Sequence, residues 1–433
     1  MSRNGVGIAR KLDSFVHGYI RYTEGISSPE LFRKWSAIVT IGACLERRVW
    51  TITAKKPTFP NMFVVLIGPP GIGKSEAING VRSLVRATGV EGLYEPSCNL
   101  APVDVTKASL YDYLQKKSTR REGPDPEATA LDSKETFHYH SAFLAVTELS
   151  DLIRDHDTQL LGALHGLYDC LPMVEEERRY RADNPIKIQR PQVSLLGGTT
   201  PAYINRTFPP SAWDEGFMAR TILIYSSEVI MPDLFGTEHD DLDPLLGREL
   251  VEDLRAIGKM WGRFEFSDQA KKTLTAWQKN GQQPRPAHMR LEHYNTRRMR
   301  HAIKLSMIAA ANRSNGNTID VEDFQEALSW MVEAEEQMPK IFLDMVGKSD
   351  GQVMNECYMY VRGIFDNPLM KNQPVKRSLI INFLRNRVPA YGVEKVLEMM
   401  VESEMLIKCV TTVVSDVRYK PGDKPGLFKD RKR

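Results

Sequence analysis

Cysteine is scarce in this chain, five in 433 residues. Cys44, Cys98, Cys170, Cys357 and Cys409 lie far apart, and no pair has CxxC or zinc-ligand spacing. That excludes a disulfide framework and leaves reduced, mostly buried thiols, as expected in a cytoplasmic protein. Long apolar runs are also missing. Trp35–Leu45 is too short to span a bilayer, and Phe59–Gly73 is broken by proline and glycine. Met1–Phe15 carries charge but no apolar stretch, so a secretory leader is not expected. No single sign of charge dominates. The 58 Lys and Arg against 55 Asp and Glu give a net +3, so any basic surface has to be local. There is no internal repeat, and 42% hydrophobic with 26% charged residues excludes collagen-like, mucin-like and wholly disordered chains. What remains is a globular chain long enough for about two or three domains.

The N-terminal part reads as helical. Ser27-Ser28-Pro29-Glu30 has the form of a capped helix start, and Leu31, Trp35, Ile38, Ile41 and Leu45 continue it towards Arg47-Arg48, which are expected to be solvated or to cap the helix end rather than to contact DNA. Trp50–Thr53 reads as a short strand. Met62–Ile67 is a continuous apolar run of the kind found in strands buried on both faces. A Gly/Pro loop and helix Glu76–Thr88 follow. Helix Thr106–Leu114, a surface loop at Ser118–Thr136, strand Ser141–Val146, helix Leu149–Arg154, and strands Val193–Leu196 and Thr221–Tyr225 complete an alternating pattern. That pattern predicts an α/β fold with a mainly parallel sheet.

After Pro232 no further strand is expected until the C-terminal piece. Helices are predicted at Asp241–Gly258, Ser267–Asn280, Asn295–Asn312 and Val321–Met338. Three more helices, Gln352–Phe365, Ser378–Asn386 and Val393–Ser403, then precede strands Met405–Cys409 and Val417–Tyr419, the order of a winged helix. The domain reading is an N-terminal helical segment at 1–58, a core at 59–232, a helical lid at 233–348, a winged-helix-like piece at 349–422 and a basic tail at 423–433.

Gly68-Pro69-Pro70-Gly71-Ile72-Gly73-Lys74-Ser75 fits the P-loop pattern GxxxxGK[ST] at every fixed position. Its glycines let backbone N–H groups wrap a phosphate without Cβ clashes, and Lys74 can reach the β- and γ-phosphates. Ser75 can supply a hydroxyl to Mg²⁺, and the helix N-terminus adds its positive end. ATP and Mg²⁺ are therefore the expected cofactors. Glu148, just beyond the strand Ser141–Val146, is placed to orient an attacking water. Thr147 stands where P-loop ATPases usually carry Asp, so its hydroxyl would have to serve the metal's water shell. Thr199 and Thr200, in Gly197-Gly198-Thr199-Thr200-Pro201, are candidates for sensing the γ-phosphate. Thr200 also suits a helix cap.

Arg220 is a candidate arginine finger acting on a neighbouring subunit, or else a surface arginine paired with Asp214 or Glu215. Arg297, Arg298 and Arg300 open a helix after the sheet; one could contact nucleotide from the lid side, but a solvated face is the expectation. Glu175–Ile188 carries Arg178, Arg179, Tyr180, Arg181 and Lys187. Such a segment can grip nucleic-acid phosphates and stack on bases in ring-shaped motors, or can be a plain charged loop.

Together, Ser28-Pro29-Glu30, Trp35-Ser36, Pro60-Asn61, the P-loop, Gly197–Pro201 and Glu215-Gly216-Phe217 with Arg220 make residues 20–340 similar to phage and prophage helicase-like P-loop ATPases. These are relatives of the helicases joined to primases in mobile elements. The resemblance implies a RecA/AAA-type core, a homo-oligomeric ring (a hexamer) and ATP-driven action on single-stranded or forked DNA in phage replication, in the host cytoplasm. The C-terminal piece would bind duplex DNA or a replication protein. Two other readings stay open: an ATP-switched helicase loader or initiator that does not translocate, and a small-molecule kinase using the same loop.

Overall fold

Residues 63–67, Phe-Val-Val-Leu-Ile, are all buried, because this strand lies inside a sheet with neighbours on both edges. The computed structural model describes residues 10–91, 93–122, 136–154, 157–176, 185–208, 216–231, 243–367, 370, 373–385, 393–410 and 417–422. Its central sheet has five strands: β1 (Phe63–Ile67), β2 (Ser118–Glu122), β3 (Thr136–Val146), β4 (Pro191–Thr199) and β5 (Thr221–Tyr225), in the spatial order β2-β3-β4-β1-β5. The pairs β3–β4, β4–β1 and β1–β5 are parallel, so the C-terminal tips of four strands share one edge. Strand β2 is antiparallel to β3, pairing Ser118 with His140 and Glu122 with Thr136. The segment 118–136 is therefore not a plain surface loop. Its two ends are strand, and the intervening 123–135 lie outside the described residues.

Helices α1 (Phe15–Tyr22), α2 (Glu30–Leu45) and α3 (Lys74–Thr88) pack together, with α2 against the sheet. Helix α2 is buried almost all round, from Phe32 to Leu45. Its start differs from the expected capping box. Pro29 is the cap residue and makes no side-chain cap bond, while the Ser27 hydroxyl donates to the carbonyl of Ile230 at 2.9 Å. Arg47 and Arg48 are buried rather than solvated. Arg47 donates to the Pro191 carbonyl at 2.9 Å and stacks on Phe59; Arg48 donates to the carbonyls of Gly258 and Cys44 and pairs with Glu46. Carbonyls at element ends, where free acceptors occur, hold the terminal nitrogens of these two guanidiniums.

Strands also continue beyond 232. Val49–Thr53 pairs with Lys56–Thr58 and, in parallel, with Gly262–Arg263; Glu265–Phe266 pairs with Thr318–Ile319. Helix α4 (Glu292–Arg313) packs against α2 and the short helix Gly216–Arg220. The two helices predicted at 321–338 and 352–365 are one, Val321–Phe365, which runs on through Pro339 and the two glycines between them.

The chain divides into two compact units, Met1–Ile341 and Phe342–Arg433. The first holds the segments read as N-terminal helices, core and lid in one body. In the second, helices Arg377–Arg385 and Val393–Glu402 accompany a three-stranded antiparallel sheet, Val375–Lys376, Val417–Pro421 and Leu406–Val410 in spatial order. Its own core gathers Cys357, Val361, Ile380, Leu384 and Met400.

Candidate functional site

The loop Gly68–Ser75 leaves the C-terminal tip of β1 and runs into the first turn of α3. Gly71 and Gly73 both have φ of +81°, a conformation that side chains with a Cβ strongly resist. At Gly73 a Cβ would also lie 1.5 Å from the Ser27 carbonyl oxygen, so the chain entering α2 is seated directly on this turn. A Cβ at Gly71 would meet nothing within 4 Å, so the loop opens into free space at that point. Lys74 is buried, and its Nζ donates to the carbonyls of Gly68 at 3.0 Å and Pro69 at 2.8 Å, folded across the loop. Burial pushes its pKa down, and the carboxylate of Glu148 partly opposes that. Lys74 therefore lies within the field of that carboxylate.

Parallel register aligns the other predicted residues with this loop. Thr199 at the tip of β4 is opposite Ile67, and its carbonyl accepts from the Gly68 N–H at 3.3 Å. Val146 at the tip of β3 is opposite Gly197, so Thr147 and Glu148 emerge one strand further along the same edge. Glu148 is exposed at the head of a short helix, Leu149–Leu152, and Thr147 and Ser75 are half-buried. Gly198 keeps this edge tight, since a Cβ there would sit 2.4 Å from the Thr147 carbonyl. Thr200 is engaged otherwise: its hydroxyl caps helix Pro201–Thr207 by accepting from the Tyr203 N–H at 3.3 Å. Thr199 is the residue left at the strand tip. Lys74, Ser75, Thr147, Glu148 and Thr199 thus share one edge. A backbone cradle with open space and a buried ammonium suits a polyphosphate, and a half-buried hydroxyl beside it suits a hard cation.

Arg220 is not on that edge. It ends helix Gly216–Arg220 just before β5 starts, at the opposite end of the sheet from the loop. Its guanidinium donates to the Gly216 carbonyl at 2.8 Å and pairs with Asp169. Asp214 and Glu215, the expected partners, lie outside the described residues. Asp169 also accepts from Arg300 at 3.1 Å and lies 3.7 Å from Arg297. These three arginines hold the Asp169 carboxyl below its ordinary range against the opposing effect of burial. The expected solvated face of α4 is thus corrected. Arg297 and Arg300 turn to Asp169, while Arg298 is fully buried in a fork–fork pair with Glu335, with contacts of 2.6 and 2.7 Å. Periodicity around one helix does not show which cation meets a carboxylate 130 residues away.

Of the charged segment, Arg178, Arg179, Tyr180 and Arg181 lie outside the described residues. The hairpin that carries them is described: Met173–Glu176 pairs antiparallel with Ile186–Gln189. Lys187 is exposed on it, 3.3 Å from Glu175 across the ladder. No group of three His, Cys, Asp or Glu able to hold a metal occurs among the described residues, and no helix among them is long and apolar enough to cross a membrane. Comparison with protein-family models and with curated proteins finds no match.

Proposed function

We propose that this chain is a Mg²⁺-dependent ATPase that works as a homo-oligomeric ring, a hexamer, on DNA, in the manner of phage replicative helicases. The observation that carries the reading is the shared edge. A GxxxxGK[ST] loop with Lys74 across its mouth stands beside Thr199 on the adjoining strand and Glu148 on the next. In this reading the loop N–H groups and Lys74 bind the phosphates, and Ser75, with Thr147 behind it, holds the magnesium. A magnesium ion held there would supply charge neutralisation at the phosphoryl group. Glu148 orients and deprotonates the water, and Thr199 reports the γ-phosphate.

The position of Arg220 supports a ring. It lies at the far end of the sheet from its own loop, so a finger role would have to be played on another copy. A hairpin inserted before β4, between whose two strands the sequence carries Arg178, Arg179 and Arg181, supports contact with a DNA backbone. In the second unit, the succession of helix, strand, two helices and two strands supports a winged helix. Glu394, Glu398 and Glu402 are exposed on its helix Val393–Glu402, and that acidic face favours a protein partner over the DNA groove.

The test is ATP turnover with and without single-stranded DNA, measured beside native mass. Wild type should hydrolyse ATP faster with DNA and run as a ring, and Lys74→Ala should lose turnover while keeping its fold. Wild-type turnover in Lys74→Ala refutes the site. Turnover without DNA stimulation or strand separation favours the loader. Transfer of phosphate to a small molecule favours a kinase.

A further inference from the structure

At the opposite end of the sheet from the loop, between the hairpin 49–58 and α4, lies a cavity of about 780 Å³. Four cationic side chains line it, Lys56, Arg297, Arg300 and Lys304, against one carboxylate, Asp169. Arg220 adds a fifth cation from behind Asp169. We propose that this cavity is a second phosphate site, which binds a compact polyphosphate through Arg297, Arg300 and Lys56 in the field of Lys304.

The first support is charge balance. One carboxylate serves three arginines, and the excess of positive charge is half-buried, where it is costly without an anion. The neighbours register this excess. The Arg297 pKa is lowered by burial and then by Arg220, and His165 is lowered by burial and by Arg220. Lys304 is buried, with Nζ 2.8 Å from both the carbonyl and the side-chain oxygen of Asn61 and 3.8 Å from the centre of the Tyr168 ring. Burial pushes its pKa down to about 7, so an entering anion would favour its charged form.

The second support is geometry. Three arginines, Arg220, Arg297 and Arg300, converge on one carboxylate rather than running in a stripe. A stripe follows a nucleic-acid backbone, whereas convergence matches a compact group of phosphate oxygens. Planar guanidiniums already ordered by Asp169 need little rearrangement to accept them, so Asp169 acts as a resident anion that the ligand displaces.

Strand β1 separates this cavity from the chain's own loop. Phe59 and Asn61, which line the cavity, precede the strand, and Gly68 follows it. The site therefore cannot share the phosphate held by Lys74. The proposal stands whether or not the loop hydrolyses ATP.

The experiment is calorimetric titration of inorganic triphosphate into the full-length Lys74→Ala chain, in which the loop is disabled. Binding should persist. Adding Arg297→Gln with Arg300→Gln should weaken it by at least tenfold, the order expected for lost charged hydrogen bonds. Asp169→Asn should tighten it several-fold by removing the competing anion, an effect that damage to the fold would not produce. Melting curves confirm that each variant is folded. No binding by Lys74→Ala overturns the proposal, as does binding that survives loss of both arginines. Weaker binding in folded Asp169→Asn also overturns it. If triphosphate binds only in wild type, at concentrations where copies associate, the phosphate belongs to a neighbouring loop and the proposal fails. If an oligothymidylate displaces triphosphate and depends on the same arginines, the ligand is a nucleic-acid backbone and the compact-phosphate assignment is overturned.

Discussion

Replacing Gly71 and Gly73 in turn by alanine separates backbone strain from steric collision in the same loop. Both residues have φ of +81°, so each alanine carries the left-handed penalty of roughly 1–2 kcal/mol. They differ in what the new methyl meets. At position 71 it meets open space, and at 73 it would stand 1.5 Å from the Ser27 carbonyl oxygen. Restoring even a 3.0 Å contact requires that carbonyl to retreat by at least about 1.5 Å, the gap between those two figures. The Ser27–Ile230 hydrogen bond, now 2.9 Å, cannot survive such a shift, at a further cost of about 1 kcal/mol. Loosened packing where α2 begins adds to that. Gly73→Ala should therefore cost about 3–5 kcal/mol in all. At about 2 °C per kcal/mol in a unit of this size, the melting temperature should fall by roughly 6–10 °C. Gly71→Ala should lower it by roughly 2–4 °C. Differential scanning calorimetry reads the difference, and binding of a fluorescent ATP analogue should be weakened far more by Gly73→Ala. Because the obstacle is backbone, Ser27→Gly should not rescue. Equal melting shifts for the two variants, or rescue by Ser27→Gly, would refute the seating of the α2 entry on the loop.

Glu148→Gln should bind ATP as wild type does and hydrolyse it at least a hundredfold more slowly, read by filter binding beside phosphate release; normal turnover removes Glu148 from the chemistry. Arg220→Ala should leave nucleotide binding by each subunit in place and cut hydrolysis by roughly 10³-fold, and mixing it with Lys74→Ala subunits should restore part of the activity. No rescue, with subunit exchange confirmed, makes Arg220 structural, a partner of Asp169 only. His301 is buried between Tyr168 and the Ala219 carbonyl, and burial pushes its pKa down to about 3. The unfolded chain takes up that proton below about pH 6.5, so the stabilisation is present above 6.5 and is lost as pH falls towards 3. Urea midpoints at pH 4.5 to 7 should therefore fall more steeply for wild type than for His301→Gln, by up to about 1.4 kcal/mol per pH unit. Parallel profiles for the two would contradict the assignment.

Local signals were enough for much of the sheet edge that carries the glycine loop. The apolar run before the loop, the glycine spacing, and Glu148 just past a second run are patterns within about ten residues. Parallel strands then carry such residues to a common edge by register alone. The ambiguity at Thr199 and Thr200 was of a different kind. Both sit at a strand end before a proline, and only the hydrogen bond to the Tyr203 N–H commits Thr200 to capping.

Other assignments turned on chain partners far away. Arg47-Arg48 reads as a solvated helix end, yet acceptors at Pro191 and Gly258 take both inside. Arg297, Arg298 and Arg300 read as one basic face, but a helix places neighbours about 100° apart, so 298 meets Glu335 while 297 and 300 meet Asp169. Ser118–Thr136 reads as loop because its polar first end, Ser118–Glu122, forms an edge strand, which needs only one partner and little apolar burial. Composition, periodicity and spacing thus determine the α/β class, the loop and its two companion strands, since these depend on backbone preference and burial within each segment. Which cations are buried, which carboxylate they meet and where a second basic cavity opens depend on pairings more than a hundred residues apart, and only the folded chain brings those partners together.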